Sequence, residues 1–410
     1  MSSPADRLAA LVRDEGRRVL ATLVRTTGSL TVAEDAVAEA VLTALQRWPT
    51  DGVPDEPRAW LTTVARRKAL DVLRREATRG SRESAGVELA GPYEPPEQHV
   101  VDDDVLRLVF TCCHPALSLE AQVALSLRTL CGLTTADVAR LLLVPEATAA
   151  KRITRAKQKI AVAHIPYRVP TAAELPARLD SVATVVYLVF TAGHHGGAQL
   201  VRPQLCDEAI RLARLLVALL PDESSLQGLL ALLLLTDARR TTRTDPDGRI
   251  VLLAEQDRTR WDAVAIAEGC ALVEKSLRRS RLRAGRFELQ AAIAACHAGA
   301  PTFADTDWAD VVALYDALLR VEDTSVVRLN RAVAVGELRG AQAGLAEVDA
   351  VGGLDRWHLW HACRAELLVR LGRRGDASDA YRAALRCHPS APEARLLDDR
   401  LRLLVSSGGT

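Results

Sequence analysis

Apolar residues recur at steps of three and four along almost the whole chain, and no run alternates apolar and polar residues between turn signals. That period predicts an all-α protein without a sheet of any size. Thr31 to Arg47, capped by Ser29 or Thr31, turns Val32, Ala36, Val37, Ala40, Val41 and Ala44 inward and gathers Glu34, Asp35 and Glu39 in its first half. Arg58 to Glu76 places Leu61, Val64, Ala65, Val72 and Leu73 on one side, with Trp60, Thr63, Arg67, Asp71 and Arg74 on another. Thr134 and Thr135 cap a helix through Leu142, Leu143-Val144 turn the chain, and Pro145-Glu146 begin a second helix. On that helix Ala149, Ile153, Ala156, Ile160 and Ala163 form a narrow apolar stripe, opposite a ridge of Thr148, Lys151, Arg152, Arg155 and Lys159 within about 100° of arc.

Breaks in the period divide the chain. Thr78 to Asp104 is rich in Gly, Ser, Glu and Pro, and Ile165 to Leu175 has Pro166, Pro170 and Pro176 in or beside it. Both read as linkers. They give a first module over 1–77, a linker over 78–104, a second module over 105–164 and a linker over 165–175. A helical extension over 176–300 and a repeat-like part over 301–410 follow, and the Asp-Pro-Asp-Gly run inside Thr241 to Gly248 is a strong turn signal. A chain of 410 residues exceeds what one core usually organises, in keeping with several domains. Arg331-Ala332 and Arg364-Ala365 open similar segments 33 residues apart. That spacing fits tetratricopeptide-like helical hairpins, or degenerate repeats within an ordinary bundle.

Charge sharpens the picture locally. The net charge is only +1, yet Arg58 to Arg79 holds seven basic residues against Asp71 and Glu76, and Lys151 to Lys159 holds five against none. Solvated helix faces usually mix signs, so an unmixed ridge on the second helix after a tight turn points to a nucleic-acid groove. By position, Ala147, Thr148 and Lys151 approach base edges, while Arg152, Arg155 and Lys159 hold phosphates. In the first module cations beside Trp60 suit strand-separated nucleic acid, although Trp60 at the border of the apolar face serves equally as a core residue. The eight cysteines lie singly except Cys112-Cys113, with no paired CxxC, so a disulfide framework and a zinc ribbon are both poorly supported. Cys112-Cys113-His114 reads as structural, and no metal or cofactor is expected. No secretory pattern opens the chain, and Leu226 to Leu235 is about half of what a membrane span needs. A cytoplasmic protein with no membrane partner is expected.

Together these segments resemble the extracytoplasmic-function group of the sigma-70 family, whose members carry only regions two and four. The match rests on Ala33 to Leu45 as region 2.2, Pro57 to Arg75 as regions 2.3 and 2.4, and Thr134 to Ile160 as the region-four helix-turn-helix. The resemblance implies a region-two helical bundle and a non-enzymatic role in promoter recognition, with core RNA polymerase and promoter DNA as partners. Glu34, Asp35 and Glu39 would then face the polymerase clamp. Arg58, Trp60, Thr63, Arg66, Arg67 and Arg74 would contact the minus-ten element, and Thr50 to Pro57 would capture a flipped base. Region four would read the minus-thirty-five duplex. Tyr187 to Phe190, Glu208 to Leu216, Asp237 to Arg240, Asp257 to Asp262 and Leu329 to Val335 resemble the helical extension of one subgroup, which implies regulation through another protein or an intramolecular contact. Thr-Ala-Gly-His-His-Gly-Gly follows Phe190 where that subgroup suggests an Asn-Glu-Gly turn, so His194-His195 reads as a loop pair.

Two other readings compete. One is a dimeric helix-turn-helix regulator that needs no polymerase. The other makes the extension an enzyme around Asp237, Arg239, Arg240, Asp257, Arg258, Arg260 and Asp262. Alternating acids and arginines usually form structural ion pairs, however, and no nucleophile with its base, metal set or phosphate loop accompanies these residues.

Overall fold

A computed structural model of the chain describes residues 4–80, 98–142, 144–194, 203–280 and 283–406. Most of the first predicted linker, together with Leu143 and His195, lies outside these residues. Among the described residues the regular structure is helical, apart from one isolated bridge between Thr244 and Ile250. The protein is all-α. Two compact units divide at Leu188/Val189, downstream of the predicted break at 165–175.

The first unit contains α1 (Pro4–Thr27), α2 (Leu30–Asp51), α3 (Pro57–Gly80), α4 (Gln98–Cys112), α5 (Leu119–Thr129), α6 (Thr135–Leu142), α7 (Glu146–Val162) and the first turns of α8 (Leu175–His194). Ser29 caps α2, its hydroxyl accepting from Val32 N at 3.3 Å. The inward stripe of α2 is Leu30, Ala33, Ala36, Ala40, Ala44 and Trp48. Val32, Val37 and Val41, predicted inward, are only half-buried because the stripe is turned toward the small alanines. Small side chains there let α2 lie close against α1 and α3. The helix also runs through Pro49 to Asp51, so the predicted loop from Thr50 shrinks to residues 52–56.

Asp104, predicted as the end of a linker, is instead a fully buried residue of α4. Its carboxylate accepts from Arg25 of α1 at 2.8 Å and from Arg107 at 2.7 Å. Tyr167 donates its hydroxyl to the Asp104 carbonyl at 2.8 Å and reaches the Ala21 carbonyl at 2.9 Å. The predicted linker 165–175 is therefore tied down where Tyr167 stands. Farther on, Ser181 of α8 donates to the Cys113 carbonyl at 3.1 Å, and Arg178 bonds the Phe110 carbonyl. Cys112 and Cys113 are core residues of this unit, and burial pushes both thiols up, that of Cys113 to about 11.

The second unit contains α9 (Pro203–Leu219), α10 (Ser224–Asp237), α11 (Ala263–Ser280), α12 (Arg286–Gly299), α13 (Trp308–Val321), α14 (Ser325–Arg339), α15 (Ala341–Ala350), α16 (His358–Arg370), α17 (Arg374–Arg386) and α18 (Ala391–Ser406). Every residue of α10 from Leu226 to Leu235 is buried, against α9, α11 and α12. An apolar run with no polar face can only sit inside a bundle or a membrane, and here neighbouring helices cover it. Asp245 caps the predicted turn, accepting from Asp247 N at 3.0 Å and Arg249 N at 2.8 Å, with Gly248 at φ +74°. Leu289 and Ile293 of α12 share one apolar cluster with Val311, Val312, Leu318, Val327, Ala334 and Val335, so the core is continuous across the expected boundary at 300/301.

The 33-residue spacing has a physical counterpart. Arg331 binds Asp316 at 2.6 Å, and Arg364 binds Asp349 at 2.7 Å, each arginine reaching back to the preceding hairpin. These are tetratricopeptide-like hairpins, α14 with α15 and α16 with α17. Where α14 meets α15, a Cβ on Gly344 would stand 2.6 Å from the Gly336 Cα. Only hydrogen fits. Gly344→Ala should therefore destabilise the protein by about 1–3 kcal/mol, read as a lower denaturant midpoint in equilibrium unfolding.

Candidate nucleic-acid interface

The helix-turn-helix is built locally. Thr134 and Asp137 form a reciprocal cap on α6, Asp137 N donating to Thr134 Oγ1 at 3.1 Å and Thr134 N to Asp137 Oδ2 at 3.3 Å. After the turn Pro145 caps α7 at φ −57°. Ala149, Ile153 and Ala156 are buried as predicted, Ile160 is half-buried, and Ala163 is an exposed C-cap because the helix ends before the stripe completes another turn. Ala147, Lys151, Arg155 and Lys159 are exposed, while Thr148 and Arg152 are half-buried. These six project as one ridge. The backbone at the start of α5 and the Ser118 hydroxyl hold the Glu120 carboxyl below its usual range, with Arg152 adding to the effect.

On α3, Arg67 and Arg74 are exposed, Arg74 lying 3.9 Å from Asp71. Thr63 and Arg66 are half-buried, and the Arg66 Nε is enclosed without a partner among the described residues. Arg58 faces Glu15 of α1 at 3.4 Å. Trp60 is half-buried and meets Trp48 edge-on at 5.5 Å between ring centroids. Trp60 therefore packs against the core through Trp48 while part of the residue stays accessible. The loop 52–56, with Gly52, Asp55 and Glu56 exposed and Val53 and Pro54 half-buried, lies between these two tryptophans in sequence.

The acids on α2 are not placed as one set. Asp35 is exposed, and Glu39 is exposed 3.5 Å from Lys68. Glu34 is turned inward, its side chain only 14% exposed, where it pairs with Lys157 of α7 and accepts from Thr129 at 3.1 Å. Beside it a cleft of about 420 Å³ opens between α1, α2 and the Arg128–Gly132 turn, lined by Leu20, Val37, Val41 and Leu42. Sequence reasoning missed Lys157 and Thr129. A signal for Lys157 existed: it stands four residues after Ile153, where the apolar stripe would continue, and so faces protein instead of solvent.

The expected His194-His195 loop pair is also revised. His194 ends α8, is buried, and stacks on Phe190 at 5.4 Å between centroids. Among the described residues no group of His, Cys, Asp and Glu gathers as a metal site. One described helix, α8, is long and apolar enough to cross a membrane, and the bonds of its Arg178 and Ser181 pack its start against α4 and α5.

Comparison with known proteins decides what these modules are. Sigma-70 region 2 matches residues 11–79, and sigma-70 region 4 matches residues 107–160. The chain belongs to the sigma-70 family. Its two sigma regions place it among proteins that bind core RNA polymerase and recognise promoter DNA, and residues 178–277 match a family of unknown function, DUF6596. An uncharacterised protein of Rhizobium meliloti (strain 1021) is 41% identical over 406 residues, covering 96% of this chain and 95% of that one, so the extension accompanies the sigma regions there too. No solved structure gives a significant match.

The Glu34–Lys157 pair joins region 2 to region 4 in this conformation. Both side chains are less than one-fifth exposed, so each loses most of its hydration to the contact. A double-mutant cycle of Glu34→Gln and Lys157→Met in equilibrium unfolding should give a coupling of about 1–3 kcal/mol.

Proposed function

We propose that this sigma factor divides promoter recognition between two helical ridges. Region 4 reads the minus-thirty-five duplex with α7, Ala147, Thr148 and Lys151 near base edges and Arg152, Arg155 and Lys159 on phosphates. Region 2 engages the minus-ten element through Arg58, Trp60, Thr63, Arg66, Arg67 and Arg74, with the loop 52–56 beside Trp60 receiving a base from the opened strand. The observation that carries this reading is the exposed α7 ridge, where Lys151, Arg155 and Lys159 stand with no acid bonded to them among the described residues. Such a ridge costs little in solution and gains counterion release on DNA.

Core polymerase binds the outer face of α2. Asp35 and Glu39 supply charge there, and Leu42 and Leu45 are 53% and 45% exposed, an apolar addition that a solvated helix face does not need. Glu34 belongs to the same contact only once Lys157 leaves it, so binding to polymerase separates α7 from α2. The extension regulates access to this face, and the protein works in the cytoplasm beside its polymerase.

Two experiments test the scheme. Asp35→Lys with Glu39→Lys should leave the fold intact by circular dichroism and weaken co-elution with core polymerase by about tenfold or more. Unchanged co-elution, or no initiation by the wild-type complex on any promoter of its own genome, would sink the polymerase reading. On DNA, Arg155→Ala or Lys159→Ala should weaken binding to every duplex and lower the salt slope by about 1 each. Thr148 and Lys151 substitutions should instead change base preference by about 1–3 kcal/mol at one position in a binding-site selection.

A further inference from the structure

The extension pairs its arginines almost systematically: Arg240 grips Asp237 and Asp207, Arg331 grips Asp316 and Glu347, and Arg370 grips Glu337. One cluster departs from that habit. Among the described residues, the Arg239 side chain makes no hydrogen bond and no ion pair, although it is half-buried and feels the like charge of Arg258. Arg258 gives one terminal nitrogen to the His297 and Ala300 carbonyls and lies over the Trp261 ring at 4.7 Å, while its other terminal nitrogen, Nη2, is buried without a partner. His297, edge-on to Trp308 at 5.3 Å, likewise keeps a buried Nδ1 without a partner. Arg243 is buried close by and spends one nitrogen on the His194 carbonyl at 2.6 Å.

The backbone holds these groups together. Trp261 Nε1 donates to Thr242 Oγ1 at 2.9 Å, and that hydroxyl donates to the Arg239 carbonyl at 3.0 Å. Asp262 N donates to the Ala238 carbonyl at 2.9 Å. The segments carrying Arg239 and Arg258 are thus stitched side by side, with Arg258 anchored to the end of α12 that bears His297. Among the described residues no carboxylate bonds any of the four side chains. Asp237 is spent on Arg240, Asp257 and Asp262 cap the turns that follow them, and exposed Asp305, which Arg258 feels at range, is held by Thr302 at 2.7 Å. The charge also shows on its neighbours: burial, then Arg239 and Arg258, push the imidazole of His297 down to about 4.

Burying cations without counter-charge costs far more than leaving an arginine exposed. We propose that Arg239, Arg258 and His297, backed by Arg243, form a binding site for a phosphate group, carried by inorganic phosphate or by a small phosphorylated metabolite. Donors contributed by three chain segments suit a tetrahedral oxyanion better than a planar carboxylate, and a dianion matches the accumulated charge. The three arginines fall within the segment matched by the family of unknown function, and His297 lies beyond it. The site stands independently of how the sigma regions act.

The test uses the full chain in buffer free of phosphate and sulfate, titrated with inorganic phosphate by calorimetry and thermal unfolding, with chloride at matched ionic strength as reference. Saturable heat and a raised midpoint with phosphate alone are expected. Arg239→Gln should weaken binding by about tenfold or more and, without phosphate, leave the midpoint unchanged or higher, because Arg239 contributes repulsion and no bond. Arg239→Lys should bind with intermediate affinity, and Arg260→Gln, an exposed neighbour, as wild type. A phosphate response no larger than that of chloride, wild-type affinity in Arg239→Gln, or a lower midpoint of Arg239→Gln in anion-free buffer would each overturn the proposal. Glycerol phosphate binding more tightly than inorganic phosphate assigns an organic phosphate ligand, and the reverse order assigns the free ion.

Discussion

The carboxylate of Asp104 is the contact on which the first unit turns. A buried carboxylate is costly unless its lone pairs are filled by charged or polar donors, and here Arg25 and Arg107 fill them from two different helices. The backbone carbonyl of the same residue receives the Tyr167 hydroxyl, which also reaches α1. One residue thus fastens region 2, the first helix of region 4 and the segment that leaves region 4. The Glu34–Lys157 pair adds a second fastening, between α2 and α7.

Much of this was legible in the sequence where periodicity is strong and local. The α6–α7 pair follows from a capping threonine, a two-residue turn and a proline-acid start, and the buried Ala149, Ile153 and Ala156 follow from the step of the stripe. Legibility failed where a residue's environment is made by distant chain. Asp104 sits at the edge of a polar, proline-rich stretch and gives no local sign that two arginines and a tyrosine will enclose it. Val32, Val37 and Val41 are more apolar than the alanines beside them, yet close helix packing selected the alanines for the interior. Likewise Lys157 looked like one more cation in a basic run, because sequence shows charge but not which neighbour shares the face.

The alternating acids and arginines of the extension show the same limit from another side. By composition Asp237, Arg239, Arg240, Asp257, Arg258 and Asp262 make one network. In space they part company. The acids cap turns or bind Arg240, and Arg239 and Arg258 are left together without them. Spacing alone could not assign partners, since Arg239 and Arg240 are adjacent and differ only in the direction the chain turns after α10.

The hairpins of the extension are linked in a line, each arginine of the 33-residue register reaching back one hairpin through Asp316 or Asp349. Cohesion of that kind is passed from neighbour to neighbour, as in a stack of coins, and a stack frays from its free end. Here the end is not free. Arg400 of α18 reaches Glu255 at 2.9 Å, and Arg249 reaches Asp399 at 3.3 Å, so the last helix is clasped to the segment between α10 and α11 where the stack begins. The line becomes a loop whose closure is made of exposed charges, which dissolved salt weakens while leaving the apolar hairpin contacts in place. Raised ionic strength therefore loosens this closure before it loosens the apolar packing of Leu397 against the hairpins.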